Sequence, residues 1–292
     1  MSKTNLAIQK DLLRQPSTIT LVGNPNTGKS TIFNALTGLR QKIANYPGIT
    51  VERKMGSTII NGVLHKVIDL PGAYSLNHKK ADERITYETL IGSYDYEEKP
   101  DLLLLVLDAS NLERNLFLAS QVMDLQIPIL MVLTMSDIAD ERGIIIKPEQ
   151  LSSAWRVPVI SVNARSKNCD TQIKEALIEK GVAVPKPFQW NPTTPLRKAV
   201  ERLDKEWLSK HTQLPKRARP IEALRLIAEG GLEDSFYQYS EGGKAKKLIE
   251  SLQNFLEAAG ENPTAAEVVQ RYRFISDISE GSVSKEHSNE LT

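Results

Sequence analysis

Residues 23–30 read Gly23-Asn24-Pro25-Asn26-Thr27-Gly28-Lys29-Ser30, which fits the phosphate-binding loop pattern of two spaced glycines followed by Lys and Ser. The apolar run Thr18–Val22 before this loop is typical of a buried strand. The segment Thr31–Thr37 after it is typical of a helix, closed by Gly38. A strand, a loop and a helix in this order are the context that such a loop needs, so the sequence predicts a phosphate site here.

The residue types of this loop indicate how it would hold an anion. Gly23 and Gly28 allow the backbone to curl, so that successive N–H groups point toward the anion together with the positive end of the following helix. Lys29 is expected to reach the outer phosphates, and the Ser30 hydroxyl is expected to bind Mg²⁺. The other residues predicted to line the nucleotide are Asn24, Pro25, Asn26, Thr27 and Thr31.

Composition places the chain among globular proteins. Of the 292 residues, 40% are hydrophobic and 25% are charged, and the formal net charge of +1 gives no electrostatic reason to expect nucleic acid or an anionic membrane surface as partner. The single cysteine, Cys169, excludes an internal disulfide and fits a reducing compartment. The sequence contains neither a signal peptide nor an apolar run of the roughly 18–20 residues that a membrane helix needs. We therefore expect a soluble, cytosolic chain.

Residues 41–50 predict an exposed loop beside the phosphate site. The segment is too polar for a core, and Pro47-Gly48 indicates a turn. A long exposed loop next to a nucleotide is a candidate mobile switch. We expect the Thr50 hydroxyl to bind Mg²⁺ and the terminal phosphate, although a surface Thr at the start of a strand fits the sequence too.

A predicted hairpin carries the second phosphate-sensing segment. Its two strands are predicted at residues 53–60 and 63–70, and it ends in Asp69-Leu70-Pro71-Gly72. We predict that Asp69 holds Mg²⁺ through water and that the Gly72 N–H contacts the terminal phosphate.

Strands and helices alternate through the rest of the amino-terminal region. Further buried strands are predicted at residues 101–107, 127–133 and 157–161, and helices at residues 81–91, 113–125, 148–155 and 170–180. This alternation predicts an α/β fold with a mixed, mostly parallel sheet and helices on both faces. Ligands of such sheets bind at the carboxyl ends of the strands, where these motifs lie.

A Pro-rich segment marks a boundary after this region, and the pattern beyond it becomes helical. Helices are predicted at residues 194–210, 219–230, 243–259 and 264–276. The short basic cluster Lys216–Arg219 is better explained as a solvated turn than as an RNA site. The predicted divisions are a lead-in at 1–17, a nucleotide-binding domain at 18–182, a linker at 183–192, a small all-α domain at 193–278 and a disordered tail at 279–292.

Three motifs of the chain resemble the FeoB ferrous-iron transport proteins, within the small regulatory GTPases. The motifs are Gly23-Asn24-Pro25-Asn26-Thr27-Gly28-Lys29-Ser30, Asn45-Tyr46-Pro47-Gly48-Ile49-Thr50-Val51-Glu52-Arg53-Lys54 and Asp69-Leu70-Pro71-Gly72-Ala73-Tyr74-Ser75-Leu76. The helical region, with Arg271-Tyr272-Arg273-Phe274-Ile275, is similar to the helical regulatory domain of that family. The resemblance covers residues 18–280, roughly.

This resemblance implies a Ras-like P-loop GTPase domain that binds GTP and GDP and hydrolyses GTP slowly with Mg²⁺. It implies K⁺ as an activator, for which Asn26 matches the family's ligand, and it implies catalytic roles for Lys29, Thr50, Gly72 and Asn26. It also implies the cytosolic part of an Fe²⁺ transporter on the cytoplasmic face of the bacterial inner membrane. The transmembrane iron-permease domain of the same protein would be its partner. Small cytosolic Feo proteins and a second copy of the chain are further candidates, and nucleic acid is not expected.

The base-recognition motif departs from the family pattern, Asn-Lys-X-Asp. Here it reads Thr134-Met135-Ser136-Asp137. Asp137 would accept hydrogen bonds from the ring N–H and amino group of guanine, so we expect guanine preference to survive. Thr134 is expected to be too short to make the bonds of the Asn amide to the base and the phosphate loop, at a cost of about 0.5–1.5 kcal/mol per bond. The alternative is a relaxed site that also hydrolyses ATP.

The last base-contacting loop and the hydrolytic residues are less well defined. Asn163-Ala164-Arg165 stands where the family has Ser-Ala-Lys, and the Ala164 N–H would donate to the base oxygen. Ala73 occupies the position at which many GTPases have a water-orienting Gln, so slow turnover is expected. Tyr74 is expected to pack in the second switch rather than act as a base.

Two other functions stay open on the sequence. A ribosome-assembly or RNA-modifying GTPase shares the motifs, but it usually carries a basic appended domain, which this chain lacks. A nucleotide-sensing module with incidental hydrolysis fits Ala73 and Thr134. The helical region is either a stabilising extension or a clamp that strengthens GDP binding.

Overall fold

The structure is a computed structural model. It describes residues 12–38, 41–46, 51–76, 80–92, 99–230 and 242–285. The chain divides into two compact units, one of residues 1–186 with 276–292 and one of residues 187–275. Each unit has its own hydrophobic cluster among the described residues.

The first unit is built around a seven-stranded sheet with the strand order β2-β3-β4-β1-β5-β6-β8, and β7 and β9 form a separate pair. The strands are β1 (Thr18–Gly23), β2 (Gln41–Asn45), β3 (Glu52–Ile60), β4 (Val63–Asp69), β5 (Leu102–Asp108), β6 (Ile129–Thr134), β7 (Ile144–Ile146), β8 (Val159–Ser161) and β9 (Val283–Lys285).

Helices of the first unit follow the strands as the sequence predicts. They are α1 (Lys29–Thr37), α2 (Ala81–Ile91), α3 (Leu112–Asp124), α4 (Ser136–Glu141), α5 (Pro148–Trp155) and α6 (Cys169–Glu179). The sequence analysis did not predict α4, which is only 6 residues long. It contains too few residues for a helical period to stand out.

Strand direction and burial explain why the functional segments meet at one edge. Strands β4, β1, β5, β6 and β8 run parallel, whereas β2 and β3 add antiparallel strands at one side. The central strand β5 is buried from Leu102 to Leu107, as expected for a parallel strand covered on both faces. On one face, Phe33 of α1 and Ile173 of α6 share the cluster of Leu104. The predicted mixed, mostly parallel sheet is therefore confirmed.

The second unit consists of helices in its described residues. They are α7 (Thr194–Leu203), a π-helical segment (Asp204–Leu208), α8 (Ser209–His211), α9 (Arg219–Glu229), α10 (Gly242–Ala258) and α11 (Ala266–Ser282), which continues past residue 275. Its core includes Trp190, Leu203, Trp207, Leu226 and Ile249. The predicted all-α region is confirmed. Within the described ranges, no helix is both long and apolar enough to cross a bilayer.

The predicted exposed loop at residues 41–50 is wrong in its first half. Residues Gln41–Asn45 form β2, which pairs antiparallel with β3, and their side chains are mostly exposed. A polar strand is stable at this position because it lies at the sheet edge and needs no buried face. Residues 47–50, with the candidate switch hydroxyl of Thr50, lie outside the described residues.

The predicted disordered tail is also wrong in its first part. Residues 279–282 continue α11, and Val283–Lys285 pairs with Ile144–Ile146 as a two-stranded sheet. Neither strand was predicted, because each has only 3 residues and its partner lies far away in the sequence. Residues 286–292 lie outside the described residues.

Candidate nucleotide-binding site

The phosphate loop connects β1 to α1, and two glycines are required by its geometry. Gly28 has a left-handed backbone with φ 79°, which a residue with a side chain rarely adopts. A Cβ at Gly23 would collide with the carbonyl oxygen of Val106 in β5. The loop therefore lies tightly against the sheet, with its N–H groups preceding a helix that can support an anion.

Three polar side chains meet at the start of α1. The Lys29 ammonium group forms an ion pair with Asp69 and donates a hydrogen bond to the carbonyl of Leu70. The Ser30 hydroxyl donates to the other Asp69 oxygen at 2.8 Å. Burial lowers the pKa of Lys29, and the adjacent Asp69 carboxylate opposes this effect. The candidate phosphate ligand and two candidate Mg²⁺ ligands thus lie together.

This donor set fits a magnesium site completed by a nucleotide. A hydroxyl and a carboxylate are the oxygen ligands that Mg²⁺ prefers, with phosphate oxygens and water filling the other positions. In the described part of the chain, no group of three His, Cys, Asp or Glu side chains could hold a metal without such help. Ser30 and Asp69 come from different elements, α1 and the end of β4.

The segment after β4 packs directly on the phosphate loop. The Ala73 N–H donates to the Gly23 carbonyl at 3.2 Å. A Cβ at Gly72 would lie 2.9 Å from both the Cα and the backbone nitrogen of Pro25. Glycine is therefore required at position 72 for this close approach.

The base-recognition strand reaches the phosphate loop through Thr134. This residue is fully buried, and its hydroxyl lies 2.7 Å from the Thr27 carbonyl oxygen and 3.1 Å from that of Leu107. The expectation that Thr134 is too short to bond to the phosphate loop is wrong. The side chain needs no amide because its Cβ already lies close to the loop, 4.0 Å from where a Cβ of Gly28 would be.

Asp137 and the loop after β8 lie beyond the ends of neighbouring parallel strands. Met135 has a left-handed backbone, φ 56°, and α4 begins at the next residue. The Asp137 side chain is exposed and accepts a hydrogen bond from the Ile138 N–H at 3.0 Å. The Asn163 side chain accepts from the Arg165 N–H at 2.9 Å, which shapes that loop.

Ala164 lies where the loop after β8 approaches the phosphate loop. Its Cβ lies 3.5 Å from the position of a Cβ on Gly28. The phosphate loop, the β6 end and the β8 end therefore meet around Gly28. Thr134 and Ala164 thus lie beside the phosphate loop, whereas Thr50 lies outside the described residues.

Two side chains that the sequence did not single out, Arg114 and Gln121, contact the segment after β4. The Arg114 guanidinium group lies 4.2 Å from the ring centroid of Tyr74, so Tyr74 packs in this segment as predicted. The Gln121 side chain accepts from the Leu76 N–H at 2.8 Å. Gln121 is buried on α3. A polar residue on the apolar side of an amphipathic helix could have indicated a specific hydrogen bond from the sequence. Ala73 is buried and contributes no functional group to orient water.

The two loop asparagines differ in their surroundings. Asn26 is exposed and has a left-handed backbone, φ 65°, so its amide is available to a cation beside the phosphates. Asn24 is 2% exposed, and neither atom of its amide makes a hydrogen bond within the described residues. Buried amides without partners are uncommon, so Asn24 is a polar group that the described structure does not satisfy.

Comparison with known proteins decides the family. The family model for ferrous iron transport protein B, FeoB_N, matches residues 17–177, which is more than half of the chain. The chain belongs to the FeoB family. The Fe(2+) transporter FeoB of Leptospira biflexa is 40% identical over 159 residues, covering 54% of this chain and 22% of that protein. The Legionella pneumophila FeoB is 36% identical over 194 residues, covering 65% of this chain and 25% of that protein.

Solved FeoB structures agree with this assignment. The cytosolic domain of L. pneumophila FeoB matches with a TM-score of 0.75 and 30% identity, over 92% of this chain and all of that one. A GDP-bound variant of the S. thermophilus FeoB G domain matches with a TM-score of 0.73 and 28% identity, over 92% and 100% of the two chains. The chain spans about a quarter of the length of the curated FeoB relatives it matches.

Proposed function

We propose that the chain binds GTP and GDP and hydrolyses GTP slowly, as the G domain of an Fe²⁺ transporter. The observation that carries this proposal is the cluster of Lys29, Ser30 and Asp69 beneath the phosphate loop, with Asp137 beyond the neighbouring strand end. The GDP-bound FeoB G domain with the same fold supports the choice of nucleotide.

The chain's own residues account for binding and for slow chemistry. The loop N–H groups and Lys29 would hold the phosphates, and Ser30, Asp69 and Thr50 would hold Mg²⁺. Mg²⁺, when bound, neutralises phosphate charge and orients the terminal phosphate for attack by water. The Gly72 N–H would meet that phosphate. Because Ala73 has no group to orient water, attack depends on backbone groups, and slow turnover is expected.

A potassium ion beside the phosphates would supply the positive charge that many GTPases take from an arginine. We propose that the exposed Asn26 carbonyl binds this ion. Positive charge at this position stabilises the phosphate charge that develops during transfer. K⁺ is therefore expected to accelerate hydrolysis.

Guanine is the base that the Asp137 carboxylate would favour. A carboxylate accepts from both guanine donors, whereas adenine presents an acceptor and no amino group at those positions. The Thr134 hydroxyl is used on the phosphate loop, so it contributes little to the choice of base. The second candidate is a nucleoside triphosphatase that also hydrolyses ATP, since no side chain amide stands at position 134.

The wider role follows from the relatives, which are Fe(2+) transporters. We propose that the transmembrane iron-permease domain of the same protein is the partner, at the cytoplasmic face of the bacterial inner membrane, and that the switch loops regulate iron uptake. Residues 193–278 would form the helical regulatory domain, a clamp that strengthens GDP binding. Deleting residues 190–292 should then speed GDP release, whereas unchanged release would indicate a passive extension.

Steady-state hydrolysis of GTP and ATP, measured side by side with Mg²⁺ in KCl and in NaCl, tests the central proposal. GTP-selective, slow and K⁺-stimulated turnover is expected. The Lys29→Ala variant is the control for contaminating activity, since it lacks the phosphate ligand. Comparable rates on both nucleotides would support the nucleoside triphosphatase instead, and no turnover above the control would contradict both.

A further inference from the structure

The short strand β9 joins the carboxyl-terminal part of the chain to the first unit. Val283–Lys285 pairs antiparallel with Ile144–Ile146, with Ser284 opposite Ile145. The Lys147 N–H extends the ladder by donating to the Ser282 carbonyl at 3.1 Å. The segment that leaves α11 is thus hydrogen-bonded to a segment that lies close to the base-recognition motif in the sequence.

A compact connection links β7 to Asp137. Helix α4 contains Asp137 and ends at Glu141. The Gly143 N–H bonds back to the Asp140 carbonyl at 2.9 Å, and the Arg142 N–H bonds to the Ala139 carbonyl at 3.0 Å. Strand β7 begins at the next residue and packs against α4. Only a short turn therefore separates the helix that contains Asp137 from β7, the strand that pairs with β9.

Helix α4 depends on such neighbours for its position. Isolated helices below about 12–15 residues are marginal in water, so a helix of this length needs tertiary support. It has 6 residues, of which Ala139 is the buried one. Its apolar anchorage is therefore small, and the contacts of α4 with β7 and with the turn at Ala109–Asn111 hold it in place.

We propose that β9 is a positioning element of the base site: its pairing with β7 holds α4 and so fixes Asp137 for guanine. This inference rests on the proposed function, because it requires that Asp137 reads guanine. Loss of the pairing should weaken guanine recognition without changing the phosphate loop.

Proline substitutions can break this pairing selectively. In an antiparallel pair, opposite residues alternate between hydrogen-bonded and non-hydrogen-bonded positions. The bond from Lys147 to Ser282 marks that pair as hydrogen-bonded, so Ser284 opposite Ile145 is hydrogen-bonded and Lys285 opposite Ile144 is not. Ser284→Pro therefore removes a ladder donor. Lys285→Pro removes an N–H that points away from β7, and it is the matched control.

The experiment measures the affinity for GDP and for inosine diphosphate. The base of inosine diphosphate lacks the amino group from which Asp137 would accept a hydrogen bond. Ser284→Pro should weaken GDP binding about two- to tenfold, the equivalent of one hydrogen bond, and weaken inosine diphosphate binding less. Lys285→Pro should leave both affinities unchanged. In an Asp137→Ala background, Ser284→Pro should not lower GDP affinity further, because the effects of substitutions at coupled sites are not additive.

Equal losses for GDP and inosine diphosphate, or a full additional loss in the Asp137→Ala background, would overturn the inference. So would unchanged GDP affinity in Ser284→Pro when amide hydrogen exchange shows that β9 has opened. Failure of the proposed function has a different signature, namely that the unmodified chain does not prefer GDP to inosine diphosphate. Both proline variants retain residues 187–275, so an effect of β9 is not confused with loss of the helical unit.

Discussion

The hydroxyl of Thr134 lies 2.7 Å from the carbonyl oxygen of Thr27, so the last residue of β6 bonds directly to the phosphate loop. Both residues are buried. A buried carbonyl that loses its donor costs about 1–3 kcal/mol, so this contact contributes to the order of the loop. It also shows how Thr134 reaches the phosphate loop without a side-chain amide.

Removal of that hydroxyl should weaken nucleotide binding of every kind. Thr134→Val keeps the shape of the side chain but leaves the Thr27 carbonyl without its donor, which we expect to lower GDP affinity by roughly tenfold. Thr134→Ser retains the hydroxyl and should restore most of the affinity. Calorimetric titration with GDP and ADP measures both variants. The ratio of the two affinities should not change, and a changed ratio would mean that Thr134 reads the base.

Gly72 should not tolerate a methyl group. The Cβ of Gly72→Ala would lie 2.9 Å from two backbone atoms of Pro25, so the segment must move off the phosphate loop. We expect the free energy of unfolding to fall by about 1–3 kcal/mol and GTP turnover to fall with it. Gly243→Ala is the control, since nothing lies within 4 Å of its Cβ. Denaturant unfolding and steady-state turnover check both, and normal turnover in Gly72→Ala would contradict the close approach.

Potassium stimulation should depend on the Asn26 side chain. Alanine would be strained at φ 65°, so Asn26→Gly is the cleaner variant because glycine adopts this backbone without strain. Hydrolysis by Asn26→Gly should be equal in KCl and NaCl, and GDP affinity should change little. Stimulation that persists in both Asn26→Gly and Asn26→Ala would exclude Asn26 as the cation ligand.

Stability should fall in mild acid because of His65. This side chain is fully buried, with its Nδ1 2.8 Å from the Ser17 hydroxyl. Burial lowers the pKa of His65 from its ordinary value of 6.5, so the unfolded chain takes up a proton at a higher pH than the folded chain. The free energy of unfolding therefore decreases as the pH falls through 6.5 toward the lowered pKa, and it levels off below that value.

The His65→Gln variant isolates this contribution. Urea unfolding of both proteins between about pH 5 and pH 7.5 should show a steeper loss of stability for the unmodified protein. The comparison uses the slope of stability against pH, so a lower stability of the variant at every pH does not affect it. Parallel curves would show that His65 is not protonated on unfolding in this range.

Strong local signals made most of the sheet predictable. The continuous apolar run of β5 and the turn-bounded hairpin of β3 and β4 are each encoded within a few neighbouring residues. Strand β2 was missed because its residues are polar, and its partner rather than its composition makes it a strand. The pairing of β7 with β9 depends on a contact between residues distant in sequence, which no local pattern reports.

The candidate site also contains features that local sequence predicts and features that depend on contacts between distant residues. The spacing of the motifs was sufficient to predict that Lys29, Ser30 and Asp69 lie together. It could not reveal that the Thr134 hydroxyl reaches Thr27, because the reach of a side chain depends on the distance between two backbones. The motifs therefore predicted which residues lie together, whereas tertiary packing decided which atoms touch.

Lys29 and Asp69 form an ion pair with each other, so each occupies the residue that a bound phosphate or magnesium ion would need. In the proposed site, a phosphate would have to displace Asp69 from Lys29, and a magnesium ion would have to displace Lys29 from Asp69. Each ligand would then free the residue that the other needs, so we expect metal binding and nucleotide binding to strengthen each other to the same extent. An anion without Mg²⁺, or a divalent cation without a nucleotide, would gain less, so we expect the loop to prefer the magnesium–nucleotide complex to either ligand alone.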